Sequence, residues 1–142
     1  MTARNGSAEW RGDFQGGSGT VTVGDGIFEG AYSSGSRFGE GTGTNPEQLI
    51  AAAHAGCFAM ALSAVLSGDG YPPEVLRASA HIQLRSIDGA PTLTRVSLDV
   101  EGTVPGIDDQ QFQRYAEQAK ANCPVSRALA GIPEIALTAK LA

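Results

Sequence analysis

Apolar and polar residues recur along this chain with two different periods, and the period marks the elements. Thr20-Val21-Thr22-Val23 alternates residue by residue, as a strand with one buried face does. Gly24-Asp25-Gly26 supplies a turn, and residues 27–32 read as the returning strand. Residues 7–13, which include Trp10, read as a strand before them, so the N-terminal part is expected to be a short antiparallel meander. Ser33 to Thr44 is polar and rich in glycine and reads as a loop, one that carries Arg37 and Phe38. At Asn45 the period changes. NPEQLIAAAHAGCFAM opens with a good N-cap, Pro at the first helical position, and Gln48 where a capping box would place it. The apolar run that follows predicts a helix to about residue 67, apolar on nearly every face and therefore buried all round.

Gly68, Asp69-Gly70 and Pro72-Pro73 stop that helix. A long hairpin follows. Ala78, Ala80, Ile82 and Leu84 face one way on its first arm, and Val96, Leu98 and Val100 do so on its second, with Asp88-Gly89 at the turn. Asp108 caps a second helix with Gln111 at the capping-box position, and Phe112, Tyr115, Ala116 and Ala119 form its apolar stripe. The helix breaks at Asn122-Cys123-Pro124. A short helix over residues 124–130 and a last strand over 135–141 complete the chain. Sequential hairpins with few β-α-β units argue for an α+β fold with an antiparallel sheet. A sheet covers only one side of a helix, so the rest of the central helix is expected to be covered by a second subunit.

The chain has 142 residues, the size of one domain. Its formal charge of −5 argues against a nucleic-acid or anionic-membrane partner. The long apolar stretch is broken by His54 and Ser63 and is rich in alanine, so it reads as a core helix and not a membrane span. MTARNGSAEW has no apolar segment of the signal-peptide kind, and the expectation is a cytoplasmic protein with reduced thiols.

The candidate chemistry lies in the two cysteines, Cys57 and Cys123, which are not spaced as a zinc pair. Cys57 sits on the core helix, where a shell of apolar residues is expected to exclude water. It is either a small buried hydrophobe or a thiol nucleophile, and the second role needs a nearby cation or donor. His54 lies three residues earlier on a neighbouring face. Cys123 precedes Pro124 and is expected at the N-cap of the last short helix, where thiol pKa values fall. Local physics alone therefore favours Cys123 as the nucleophile. Arg37 and Glu47 are either a solvated charge and a first-turn carboxylate, or a guanidinium aimed at Cys57 and held by a carboxylate. His54, Cys57 and Cys123 could form a three-ligand zinc site, but no close-spaced ligand pair supports it, and no metal is expected.

RFGEGTGTNPEQLIAAAHAGCFAMALS, followed by NCPVSRAL, resembles the osmotically inducible protein C (OsmC) family, which also contains the organic hydroperoxide resistance proteins. The resemblance extends from the Trp10 strand to the last strand. Arg37-Phe38 ahead of NPEQ, and AAAHAGCF, look more like the OsmC branch. The resemblance implies antiparallel sheets wrapped around central helices in an intertwined homodimer. It also implies thiol peroxidase activity, with Cys57 peroxidatic, Cys123 resolving, and Arg37 and Glu47 the activating pair, which reverses the local reading of Cys123. No bound cofactor is implied. The partners implied are an organic hydroperoxide and a dithiol reductant of the lipoyl type. Phe38, His54, Phe58 and Met60 are the residues expected to line an apolar substrate pocket. The rival classes are a non-catalytic stress or binding protein and a general disulfide oxidoreductase. Glu47 lies about 15 Å along the helix from Cys57 and about 80° around it. The activating pair is therefore expected to serve the Cys57 of a partner chain, unless Arg37 bridges the gap.

Overall fold

In a computed structural model, which describes residues 3–142, the chain forms two compact units, the first ending at Leu49 and the second running Ile50–Ala142. The boundary falls inside one continuous helix, α2 (Pro46–Gly68). The first unit is the expected meander, β1 (Gly6–Arg11), β2 (Ser18–Val23) and β3 (Phe28–Tyr32), paired antiparallel in chain order.

The glycine-rich stretch after β3 is not all loop. It contains a short helix, α1 (Ser34–Phe38), closed by a capping box in which serine takes the place usually held by Glu or Gln. The Ser33 hydroxyl accepts from the Ser36 N–H at 3.1 Å, and the Ser36 hydroxyl accepts from the Ser33 N–H at 2.9 Å. The Ser36 hydroxyl also donates to the Thr44 carbonyl at 2.7 Å. Asn45 then joins two elements through one side chain. Its Oδ1 accepts from the Gln48 N–H at 2.8 Å, the expected cap of α2, while its Nδ2 donates to the Ser36 carbonyl at 2.9 Å. Arg37 on α1 and Glu47 on the first turn of α2 are thus tied to one framework.

In the second unit β4 (Val75–Ile87) and β5 (Ala90–Thr103) form the predicted hairpin. Its turn has Asp88 at φ 51° and Gly89 at φ 82°, and two successive positive φ values suit a two-residue hairpin turn. α3 (Asp109–Asn122) carries the predicted capping box, with both Asp108–Gln111 bonds made. α4 (Pro124–Ala128) starts at Cys123. The last strand, β6 (Glu134–Leu141), departs from the expectation of a wholly antiparallel sheet. It pairs with β5 in parallel, giving the order β4-β5-β6. α3 and α4 form the crossover that a parallel neighbour requires. They are helical for that reason, and the crossover is what delivers Cys123 to the core.

That core joins Val96, Leu98 and Val100 of β5 to Phe58, Leu62 and Leu66 of α2 and to Phe112, Ala116 and Ala119 of α3. Only one stripe of α2 is buried, at His54, Phe58, Leu62 and Leu66, each four residues from the next. Ala52, Ala53, Gly56, Met60 and Ala64 are exposed. Burial on all sides is therefore not what the single chain provides, because its sheet and α3 cover one flank of the helix. α2 is long and apolar enough to cross a membrane by length and composition, but its buried stripe is part of this core.

Gly102 on β5 is held to its residue type by close approach. A Cβ there would lie 2.8 Å from Phe112 Cζ and 2.9 Å from Leu76 Cδ2. Phe112 is fully enclosed and has no room to retreat. Gly102→Ala is expected to lower the stability measured by urea unfolding by about 1–3 kcal/mol, the usual cost of overpacking.

Candidate active site

The two cysteines, 66 residues apart in sequence, bring their sulfurs to 3.0 Å as free thiols. α2 supplies Cys57, and the junction of α3 and α4 supplies Cys123. Their exposures differ and reverse one expectation. Cys123 is fully buried, whereas Cys57 is only partly so. Cys57 belongs to α2 but lies off its buried stripe, so the apolar shell expected around it encloses Cys123 instead.

Their acidities differ as well. Burial pushes the Cys57 thiol up, and its hydrogen bond with Cys123 pushes the same way, against a smaller stabilisation from the Val125 N–H. Burial also acts to raise Cys123. There, however, hydrogen bonds from Cys57, from the N–H and hydroxyl of Ser126 and from the Val125 N–H outweigh it, and the thiol lies below its ordinary value. The two sulfurs share one proton and titrate as a pair, with negative charge settling first on the enclosed one.

His54 does not pair with Cys57. Its ring is fully enclosed and reaches Ser126, with Nε2 2.7 Å from the hydroxyl oxygen. Burial lowers its pKa, so the imidazole is neutral at pH 7. Among the described residues no cluster of three or more His, Cys, Asp or Glu is placed to hold a metal ion.

In the first unit Arg37 and Glu47 meet. Arg37 Nη2 lies 2.8 Å from Glu47 Oε1, and Nε lies 3.1 and 3.3 Å from the two carboxylate oxygens. The guanidinium carbon sits 5.1 Å from the centre of the Phe38 ring. A fork gripped by a carboxylate on one side and stacked on an aromatic face has little freedom to turn. Beside it is a cleft of about 320 Å³ lined chiefly by Trp10, Phe14, Tyr32, Arg37 and Phe38.

The four residues expected to line a substrate pocket do not gather. Phe58 is a core residue with no exposed surface, and His54 is enclosed with it, because both fall on the stripe of α2 that faces the sheet. Met60 lies on the open flank, 76% exposed, and Phe38 belongs to the aromatic cleft of the first unit. Two contributors went unread in the sequence. Ser126 and the Val125 N–H touch the sulfurs because α4 begins at Cys123. The signal for them was the Cys-Pro start of that helix, which aims its first amide groups back towards the cap.

A family model described as OsmC-like protein matches residues 39–138, a span that takes in both cysteines, Glu47 and Ser126. The chain is 42% identical over 127 residues to the peroxiredoxin OsmC of Escherichia coli strain K12, covering 89% of each chain. It is 33% identical over 99 residues to an organic hydroperoxide resistance protein of Xanthomonas axonopodis pv. citri, covering 69% of this chain and 68% of that one. Among solved structures, an organic hydroperoxide resistance protein from Elizabethkingia anophelis superposes with a TM-score of 0.79 at 26% identity, over 99% of both chains. With the sulfur pair, the mixed sheet and the sequence likeness in agreement, this chain belongs to the OsmC-like protein family.

Proposed function

We propose that the chain is a thiol-dependent peroxidase that reduces organic hydroperoxides to alcohols, acting in the cytoplasm as a homodimer. The observation that carries this reading is the approach of two free sulfurs to 3.0 Å with only one of them open to the surface. Cys57 is the sulfur a peroxide can reach. Its thiolate attacks the terminal peroxide oxygen, the O–O bond breaks, and the alkoxide leaves and is protonated to the alcohol. Cys57 is left as a sulfenic acid. Cys123 then attacks the Cys57 sulfur, an S–S bond forms, and the oxygen departs as water. A dithiol reductant of the lipoyl type restores both thiols by exchange.

The charge distribution explains why Arg37 and Glu47 are needed. Within the pair the charge settles first on Cys123, the sulfur that a peroxide cannot touch. A cation beside Cys57 would draw it to the accessible sulfur. Arg37, already fixed by Glu47 and Phe38, is the residue assigned that task. Glu47 and Cys57 lie about 15 Å apart along one straight helix, so the pair is assigned to the Cys57 of a partner chain. The open apolar flank of α2, from Ala52 to Ala64, supports such a partner. The aromatic cleft beside Arg37 supports an apolar peroxide over hydrogen peroxide.

The test is a thiol count. Reduced protein mixed with one equivalent of cumene hydroperoxide is expected to lose both thiols within the mixing period and to yield cumyl alcohol. Slow or absent loss would instead indicate a binding protein. Reaction with protein disulfides but not with the peroxide would indicate a general disulfide oxidoreductase.

A further inference from the structure

We propose that His54 and Ser126 form a hydrogen-bonded relay that holds Cys123 ready to attack the oxidised Cys57, with His54 as a positioning residue acting through the serine. The inference deepens the peroxidase reading and rests on it.

A histidine with no exposed surface in the middle of a core helix calls for a reason, since a buried polar side chain costs stability unless it is paired. His54 has one partner, the Ser126 hydroxyl at 2.7 Å, and its Nδ1 has none among the described residues. Ser126 is itself buried and its hydroxyl also reaches Cys123. Cys123 in turn lies 3.0 Å from Cys57. Four side chains thus run in series, from His54 through Ser126 and Cys123 to Cys57.

The direction of the relay follows from counting protons. A serine hydroxyl has one proton and can donate to the imidazole or to the sulfur, not to both. If it donated to Nε2, the ring proton would sit on Nδ1 as a buried, unpaired N–H, and the sulfur would lose a donor. With the proton on Nε2, the imidazole donates to the Ser126 oxygen and the hydroxyl proton is free to point at Cys123. The second arrangement makes two hydrogen bonds where the first makes one. Burial keeps the ring neutral, so it neither takes the proton of Cys123 nor places a second charge in the core.

The relay acts on the closing step. The Cys123 thiolate attacks the Cys57 sulfur of the sulfenic acid, the S–S bond forms, and the S–O bond breaks. The departing hydroxide takes up the proton that Cys123 had released. Cys57 sulfur is reduced by the step and Cys123 sulfur is oxidised to the same level, so no further reactant is required. Losing a donor to the thiolate would raise the Cys123 pKa by about one unit. The thiolate fraction at neutral pH then falls about tenfold, and higher nucleophilicity recovers about threefold of that. The net slowing is about threefold, and more where the sulfur is also less well aimed.

Two measurements test the relay. In single-turnover mixing with cumene hydroperoxide, sulfenic acid and disulfide are followed by quenching and mass spectrometry, and the ratio of closure rate to oxidation rate is read. In Ser126→Ala and His54→Leu that ratio is expected to fall by about threefold or more, and the double variant is expected to be no slower than either single one. His54→Gln, which keeps a donor near the Nε2 position, is expected to keep the wild-type ratio. Separately, thiolate absorbance is titrated in a Cys57→Ser background without peroxide. There Ser126→Ala is expected to raise the Cys123 pKa by about one unit. An unchanged ratio and an unchanged titration in Ser126→Ala would overturn the relay, as would slowing in His54→Gln equal to that in His54→Leu. If His54→Leu does not fold, Ser126→Ala and His54→Gln decide. A wild-type protein inert to peroxide would bring down the peroxidase reading alone, since the titration still judges the relay.

Discussion

Cys57→Ser is expected to bring peroxide consumption down to the uncatalysed background, a fall of at least about a thousandfold. A serine hydroxyl carries almost no alkoxide at neutral pH, and the other sulfur is sealed inside the core. Cys123→Ser should behave differently. Its Cys57 still reacts once, the alcohol appears in one equivalent, and the sulfenic acid persists long enough for a dimedone-type probe to label it. Mass spectrometry of the labelled protein places the adduct on Cys57. Swapped phenotypes would assign attack to Cys123. That outcome has a physical basis, since Cys123 is the more acidic thiol of the pair in the single chain. The experiment therefore weighs access against acidity.

Arg37→Ala is expected to be the next most damaging change. An opposite charge within reach of a titrating group lowers its pKa by about 1–3 units, and Cys57 is otherwise pushed the wrong way by burial and by Cys123. Without Arg37 the pH–rate profile of peroxide consumption should move up by at least about one unit, with a loss of about tenfold or more at pH 7. A profile that does not move would remove Arg37 from the reaction. A mixed dimer locates the pair. Cys57→Ser and Arg37→Ala chains, inactive alone, are co-expressed with different tags and purified together. If each site takes its arginine from the other chain, one site in the mixed dimer is complete, and about half of wild-type activity returns. An inactive mixed dimer would place Arg37 and Cys57 of one chain in the same site.

Local signals in the sequence carried well where a few neighbouring residues determine the outcome. The caps at Asn45 and Asp108, the Asp88-Gly89 turn and the alternation through Val96, Leu98 and Val100 all appear as read. Features set by distant partners did not carry. His54 was read against Cys57, three positions away, whereas its partner Ser126 is 72 positions away. β6 has the same alternation whether its neighbour runs parallel or antiparallel, so only the crossover through α3 and α4 decides its direction. α1 was hidden because its box uses serine at the third position and is surrounded by glycine. The bonded Arg37–Glu47 pair follows from no local rule and was suggested by family resemblance alone. Its geometry adds that the pair is built by α1 and the first turn of α2 together.

The sulfur separation also bears on how the protein survives its own substrate. Sulfenic acids are lost to sulfinic acid when a second peroxide arrives before a thiol does, and that damage is permanent for most proteins. Thiol peroxidases that must unwind a segment to bring their cysteines together leave time for the second collision. Here the sulfurs already stand 3.0 Å apart, on a core helix and a helix junction that need not part. Closure competes as a local bond exchange against an encounter whose rate depends on dose. Hyperoxidation should therefore set in only at peroxide concentrations far above those that saturate turnover, and the protein should outlast a peroxide burst without a repair enzyme.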